Sequence, residues 1–136
     1  MKVGTKLYML VYKRIKLSKT LIKLLKIYFN KDYEVGGILF AYRKGLRIVI
    51  DTLSFKKGNP FSIDFDDKDV SLFEIPTKHV IIGTWHTHPF QQEVSPSGID
   101  LEQWDKWKKR YIHLIYNGEE IKIFTSKGEV LYVGKS

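Results

Sequence analysis

The sequence predicts an α/β fold: a mixed β-sheet sandwiched by helices, built by one domain over residues 1–136. Three observations predict it. Short apolar runs rich in β-branched and aromatic residues recur along the chain, at 37–42, 46–53, 80–88, 111–116 and 120–125. Two segments, each opening on a serine, interrupt them with helical periodicity. The 136 residues are 43% hydrophobic and 14% aromatic, enough for one buried core.

Taken in order, residues 6–16 (KLYMLVYKRIK) read as a strand. Ser18 then suits the N-cap of a helix running to about Asn30. Leu21, Leu25 and Tyr28 share one of its faces, and Lys19, Lys23 and Lys26 share another. Residues 37–42 and 46–53 are two strands joined by a short turn. Residues 54–78 are the least regular part, with a turn at Gly58-Asn59-Pro60, an acidic cluster (Asp64, Asp66, Asp67, Asp69) and a short helix expected near 66–73. Residues 80–88 are apolar on both faces and read as a central strand, which Pro89 stops because proline donates nothing to a ladder. A second helix is expected over 97–110. Strands at 111–116 and 120–125 flank Asn117-Gly118, a two-residue hairpin signal, and 129–133 can add a last strand.

The chain has no cysteine, which excludes disulfides, thiolate nucleophiles and cysteine-ligated zinc. Any metal site must use His, Asp or Glu. Residues 1–31 hold nine Lys or Arg and no acid, so the whole excess of the +8 net charge lies in the first quarter. Such a front suits nucleic acid, anionic lipid or an acidic protein, although a solvated lysine face on a helix explains it as simply. No apolar stretch approaches the ~18 residues of a membrane span. The N-terminus has scattered lysines and no small-residue cleavage site, so a cytoplasmic soluble protein with no membrane partner is expected.

The chemistry concentrates in Gly83–Asp100, GTWHTHPFQQEVSPSGID. Residues two apart on a strand face the same way, so His86 and His88 project together and Thr87 points to the opposite face. A catalytic zinc takes three protein ligands and keeps one position open. Asp100, one turn into the following helix, is the candidate third ligand. Taken alone, Ser97 and Asp100 read equally well as a serine N-cap with an acid at N3, and His-x-His pairs are more often structural. The strand-end position, the proline stop and the acid one turn into the next element together favour the metal site. Hydrolysis also needs a base. Glu34, Asp51, Glu93 and the 64–69 cluster all qualify by residue type. Glu34 stands out only because it precedes the run VGGILF, whose Gly36 and Gly37 permit close approach of backbone or substrate. Elsewhere, Leu101 and Trp104 are expected in the core, Trp107 at the helix end, and Trp85 on the sheet face opposite the ligands. His79 and His113 are expected to be structural.

Glu34 ahead of an apolar strand, His86-Thr87-His88-Pro89, then Ser97-Gly98-Ile99-Asp100, together resemble the JAMM (MPN+) zinc metalloproteases. The resemblance covers about residues 18–116 and implies the JAMM/MPN, cytidine deaminase-like architecture. It implies that His86, His88 and Asp100 bind zinc and that Glu34 deprotonates the zinc-bound water and then protonates the leaving amine. Ser97 would donate a hydrogen bond to the tetrahedral intermediate. The family cleaves isopeptide or peptide bonds after the C-terminal Gly-Gly of ubiquitin-like proteins, and small prokaryotic members act on ubiquitin-like or sulfur-carrier modifiers. Such a modifier is therefore the expected partner, and nucleic acid is not. The alternatives are a catalytically silent interaction module of the same fold, or a basic nucleic-acid-binding relative. One departure stands out: eight residues separate His88 from Ser97, one more than the family's usual seven, which leaves Ser95 as a rival oxyanion donor. In some relatives the region matching 55–78 contacts the modifier tail.

Overall fold

The computed structural model describes residues 14–57, 78–89, 92–107 and 111–136. Their elements follow the expected order: β1 (Ile15–Leu17), α1 (Lys19–Tyr28), β2 (Val35–Lys44), β3 (Arg47–Leu53), β4 (Lys56–Lys57), β5 (Val80–Thr87), α2 (Gly98–Asp105), β6 (Ile112–Tyr116), β7 (Glu120–Thr125) and β8 (Val130–Lys135). Most of the strand expected at 6–16, the turn at 58–60, the acidic cluster and the helix near 66–73 lie outside the described residues. No helix among the described residues is long and apolar enough to cross a membrane.

One mixed sheet runs β1-β3-β2-β5-β6-β7-β8, with β4 paired to the start of β2. β1–β3 and β5–β6 are parallel, and the other pairs are antiparallel. The β5–β6 pair needs a crossover, and α2 lies within it. β5 is hydrogen-bonded on both sides, as its two-faced apolar sequence requires.

The two helices among the described residues cover opposite faces. Ser18 caps α1 by accepting from the Leu21 N–H at 3.0 Å. Leu21 and Leu25 are fully buried in the larger core with Trp85, Leu114 and Tyr116, while Lys19, Lys23 and Lys26 stay in water. Tyr28 stacks on Phe55, ring centres 4.6 Å apart. On the other face Trp104 of α2 packs with Val94, Ile115 and Phe124. Strand alternation makes this division, since Trp85 and His86, or Leu114 and Ile115, must face opposite ways.

Three local expectations are corrected. The second helix ends at Asp105 rather than near 110, because Lys106 and Trp107 bond back to Gln103 and Trp104 in tightened turns. At this tightened end Trp107 joins the larger core, edge-on to Tyr111 and to His113, while Trp104 fills the smaller one. Leu101 is 38% exposed rather than core, since only Trp104 of this short helix is buried. The β6–β7 turn is centred on Gly118-Glu119, not Asn117-Gly118. Beyond the Tyr116–Ile121 pair the Asn117 N–H donates to the Glu120 carbonyl at 3.3 Å, which leaves those two residues as the connection, and Gly118 has φ of 93°. A positive φ at the first central position alone fits a type II′ turn rather than I′. Asn117 instead accepts from the Glu119 and Glu120 N–H groups through its side-chain oxygen.

Candidate metal centre

His86 is the penultimate residue of β5, paired with Gly36 of β2 on one side and Ile115 of β6 on the other. His88 follows the strand, its N–H donating to the Tyr116 carbonyl at 2.9 Å. Both imidazoles are buried, and both Nε2 atoms face the Asp100 carboxylate. The Nε2 of His86 lies 3.2 Å from Oδ1, that of His88 lies 3.2 Å from Oδ2, and the two nitrogens are 3.2 Å apart. The three donor atoms lie within 4.8 Å of one another, the one such group of three among the described residues.

This donor set fits a divalent ion. Three ligands on a tetrahedron with bonds of about 2.0–2.1 Å stand about 3.3 Å apart. Two imidazoles and one carboxylate suit zinc-like chemistry. The tautomer of His88 strengthens the case. Its Nδ1–H donates to the Glu93 carbonyl at 3.1 Å, leaving the Nε2 lone pair aimed at the carboxylate. An acceptor facing acceptors requires a shared cation, or a proton. Accordingly, burial pushes the His88 imidazole down, but its contacts to Asp100 and to the Glu93 carbonyl outweigh this and raise it above its usual 6.5. The Asp100 carboxyl is held far below its usual value: burial opposes ionisation, but His86, His88 and the Ser97 N–H outweigh it.

A pH dependence follows. The ion needs a neutral His88, whereas the metal-free site holds the proton more tightly than an ordinary histidine. Metal affinity should therefore fall as pH drops through a value above 6.5. Loading with a divalent ion at neutral pH should release protons, and titration calorimetry in buffers of different ionisation enthalpy reads that release.

Asp100 arrives by a local device. Its N–H donates to Ser97 Oγ at 3.1 Å, and the Ser97 N–H returns a bond to Oδ2 at 2.8 Å, a reciprocal capping box. The helix-start and metal-ligand readings of Ser97-x-x-Asp100 are both satisfied by the same atoms. The longer loop before Ser97 is pinned at two points. Val94 is fully buried in the smaller core, and Asn117 donates its side-chain N–H to the Gln92 carbonyl at 2.8 Å. Asn117 was hidden behind its turn-forming sequence. Only a buried asparagine at the end of an apolar strand hints at the second role.

Glu34 sits just ahead of β2. Extending the Gly36–His86 register by two residues sets it opposite His88, on the ligand face of the sheet. It is half-buried, and burial raises its carboxyl above 4.5 while His86 and His88 draw it down and Asp100 pushes it up. The rivals lie elsewhere. Asp51 pairs with His79 at 2.7 Å, Glu93 is exposed and contributes its backbone, and the 64–69 cluster is outside the described residues. Gly36 and Gly37 admit backbone rather than substrate: a Cβ would meet the Trp85 carbonyl at 2.4 Å and the Ser54 carbonyl at 1.9 Å.

Trp104 supports the centre from beneath, stacked on His113 at 4.6 Å and edge-on to His86 at 6.4 Å. His113 is fully buried between the hydroxyls of Thr84 and Ser126, at 2.8 and 2.9 Å. Burial and the neighbouring His86 hold it neutral, with a pKa of about 3. These buried contacts fit the structural role expected of it. A cavity of about 780 Å³ lies at the far end of β2, away from the ligands, lined by Arg14, Lys16, Lys19, Lys44 and Arg47.

With this geometry in place, the molecule can be set beside known proteins. No protein-family model matches the sequence, and no curated protein matches it. Solved structures do match. A crystal structure of AF2198, a JAB1/MPN domain protein from Archaeoglobus fulgidus, superposes with a TM-score of 0.57 at 24% identity, covering 86% of this chain and 94% of that one. The solution structure of protein DSY2949 from Desulfitobacterium hafniense gives a TM-score of 0.52 at 17% identity over 90% of this chain and 89% of that one. The chain therefore has the JAB1/MPN fold. On that fold it carries a His-His-Asp group arranged to hold a metal ion.

Proposed function

We propose that this protein is a zinc-dependent isopeptidase or peptidase that cuts after the C-terminal Gly-Gly of a ubiquitin-like or sulfur-carrier modifier. The observation that carries the reading is the convergence of His86, His88 and Asp100 at 3.2 Å separations with the Glu34 carboxyl in their electrostatic field. The substrate class rests on the resemblance of Glu34, His-Thr-His-Pro and Ser-x-x-Asp to the JAMM signature.

His86, His88 and Asp100 would hold the zinc. When bound, it supplies a Lewis acid that polarises the scissile carbonyl and makes water nucleophilic near neutral pH. Glu34 takes the proton from the attacking water and returns it to the departing amine. Partial burial suits a carboxyl to that traffic, because a raised pKa brings it nearer the working pH. Ser97 Oγ is occupied as an acceptor by the Asp100 N–H, so its own O–H remains to donate to the developing oxyanion.

The test pairs metal analysis with hydrolysis of a Gly-Gly-Lys isopeptide conjugate by the purified protein. Zinc binding and cleavage that a chelator abolishes support the reading. Failure to bind zinc overturns it. Ser97→Ala separates that residue's two roles. A cap alone would cost about 1 kcal/mol of stability and leave turnover intact, whereas an oxyanion donor predicts a fall in kcat of about 10²–10³-fold. The second outcome is expected.

One observation favours a second reading. The five cations around the cavity at the far end of β2 would suit a polyanion, which requires binding to DNA or RNA that weakens steeply with salt. A silent interaction module has less support, since no ligand is missing.

A further inference from the structure

Thr87 lies between the two histidine ligands and points away from both. It is 1% exposed, on the α1 side of the sheet. Its hydroxyl makes two contacts, both with the backbone of Val35. Oγ1 accepts from the Val35 N–H at 3.0 Å and donates to the Val35 carbonyl at 3.4 Å. Val35 is the residue immediately after Glu34. The β2–β5 ladder's last recorded pair at this end is Gly36 with His86, so the hydroxyl carries the pairing one residue further. On its other edge Val35 is paired with Lys57 of β4.

Glu34 needs such an anchor. Among the described residues no hydrogen bond holds its carboxylate, and the chain before it runs through bends at 31–33. Its position over the histidines therefore depends on where the backbone of Val35 is held. The ligands do not share that dependence. His86 is fixed by strand pairing on both sides, and His88 by Tyr116 and the Glu93 carbonyl. Burying a threonine hydroxyl here is warranted only if its hydrogen bonds are made, and valine would fill the same volume without them.

We infer that Thr87 is a positioning residue for Glu34, holding the start of β2 so that the carboxylate stands over the metal centre without itself contributing to metal binding. This rests on the proposed role of Glu34 as the base. A displacement of about 1 Å at a reacting group costs on the order of 10²-fold in rate. Thr87→Val should therefore lower kcat about 10²-fold with KM little changed, bind zinc as wild type does, and be rescued by Thr87→Ser.

Two readouts do not depend on peptidase activity. Exchange of the Val35 amide hydrogen, followed by NMR, should accelerate in Thr87→Val and not in Thr87→Ser. In the cobalt-substituted protein, any pH-dependent change in the visible spectrum that Glu34→Gln displaces should be displaced the same way by Thr87→Val. Thr87→Ala, which also lacks the hydroxyl, serves if the valine variant does not fold. A Val35 amide that exchanges at the wild-type rate, full kcat in a folded Thr87→Val, or loss of zinc along with activity, overturns the inference. A wild-type protein that binds no metal or cleaves no conjugate overturns the proposed function instead, and the amide exchange still decides whether Thr87 holds β2.

Discussion

Asp100→Asn is expected to strip the metal from the protein while leaving the fold intact. The amide keeps the size of the carboxyl, and its oxygen can still accept from the Ser97 N–H, so the start of α2 survives. What disappears is the negative charge that both histidines face at 3.2 Å. In the proposed centre that charge would have two effects: it would ligate the ion, and it would offset part of the cation's charge in a half-buried site. Loss of an outer-shell partner alone typically costs 10–100-fold in metal affinity, roughly, so loss of the ligand itself should exceed about 10²-fold. Calorimetric titration of the metal-free variant reads this directly. The variant should also lose the proton that His88 holds above 6.5, since the Asp100 hydrogen bond is the leading cause raising it.

The second large effect is chemical rather than structural. Glu34→Gln should retain zinc at wild-type stoichiometry and lose turnover by about 10²–10⁴-fold, the usual contribution of general acid–base catalysis. The reasoning is the converse of that for Asp100. Glu34 is coupled to the ligands through its field but belongs to no donor group, so its removal leaves the ion in place. Its loss also removes a negative charge beside the site, and a modest weakening of zinc affinity is compatible with the account. Wild-type turnover is not. Stability should change little or rise, because burial disfavours the charged carboxylate that glutamine replaces.

Much of the site was legible because its parts obey short-range rules. Strand alternation put His86 and His88 together, and one helical turn brought Asp100 back to them. The reach from Glu34 to the histidines depends on strand pairing instead. Nothing in the sequence before β2 states that Gly36 will sit opposite His86. Its place before Gly36 and Gly37 set Glu34 apart weakly, and the resemblance to a known signature selected it over Asp51 and Glu93. Thr87 and Asn117 were missed for a related reason. Each side chain bonds to the backbone of one residue on a distant segment, Val35 and Gln92 respectively, and neither contact leaves a local pattern.

The fold was legible at the level of elements and less so at their ends. The helix period located α1 and its serine cap, yet the same period extended α2 too far and counted Leu101 as buried. Lys106 and Trp107 close the helix with bonds to Gln103 and Trp104, and a helix of eight residues buries little beyond one anchor. At the β6–β7 turn the Asn-Gly pair was the right signal at the wrong register. The pairing of Tyr116 with Ile121 moved the turn one residue on and released the Asn117 side chain to tie down the loop beside His88.

The most direct test of the account is metal analysis of the purified wild-type protein beside Glu34→Gln, with both assayed on a Gly-Gly-Lys isopeptide conjugate. About one zinc per chain in each, with cleavage by the wild type alone, is the predicted result. A wild-type protein without zinc, or a Glu34→Gln variant as active as the wild type, would contradict it.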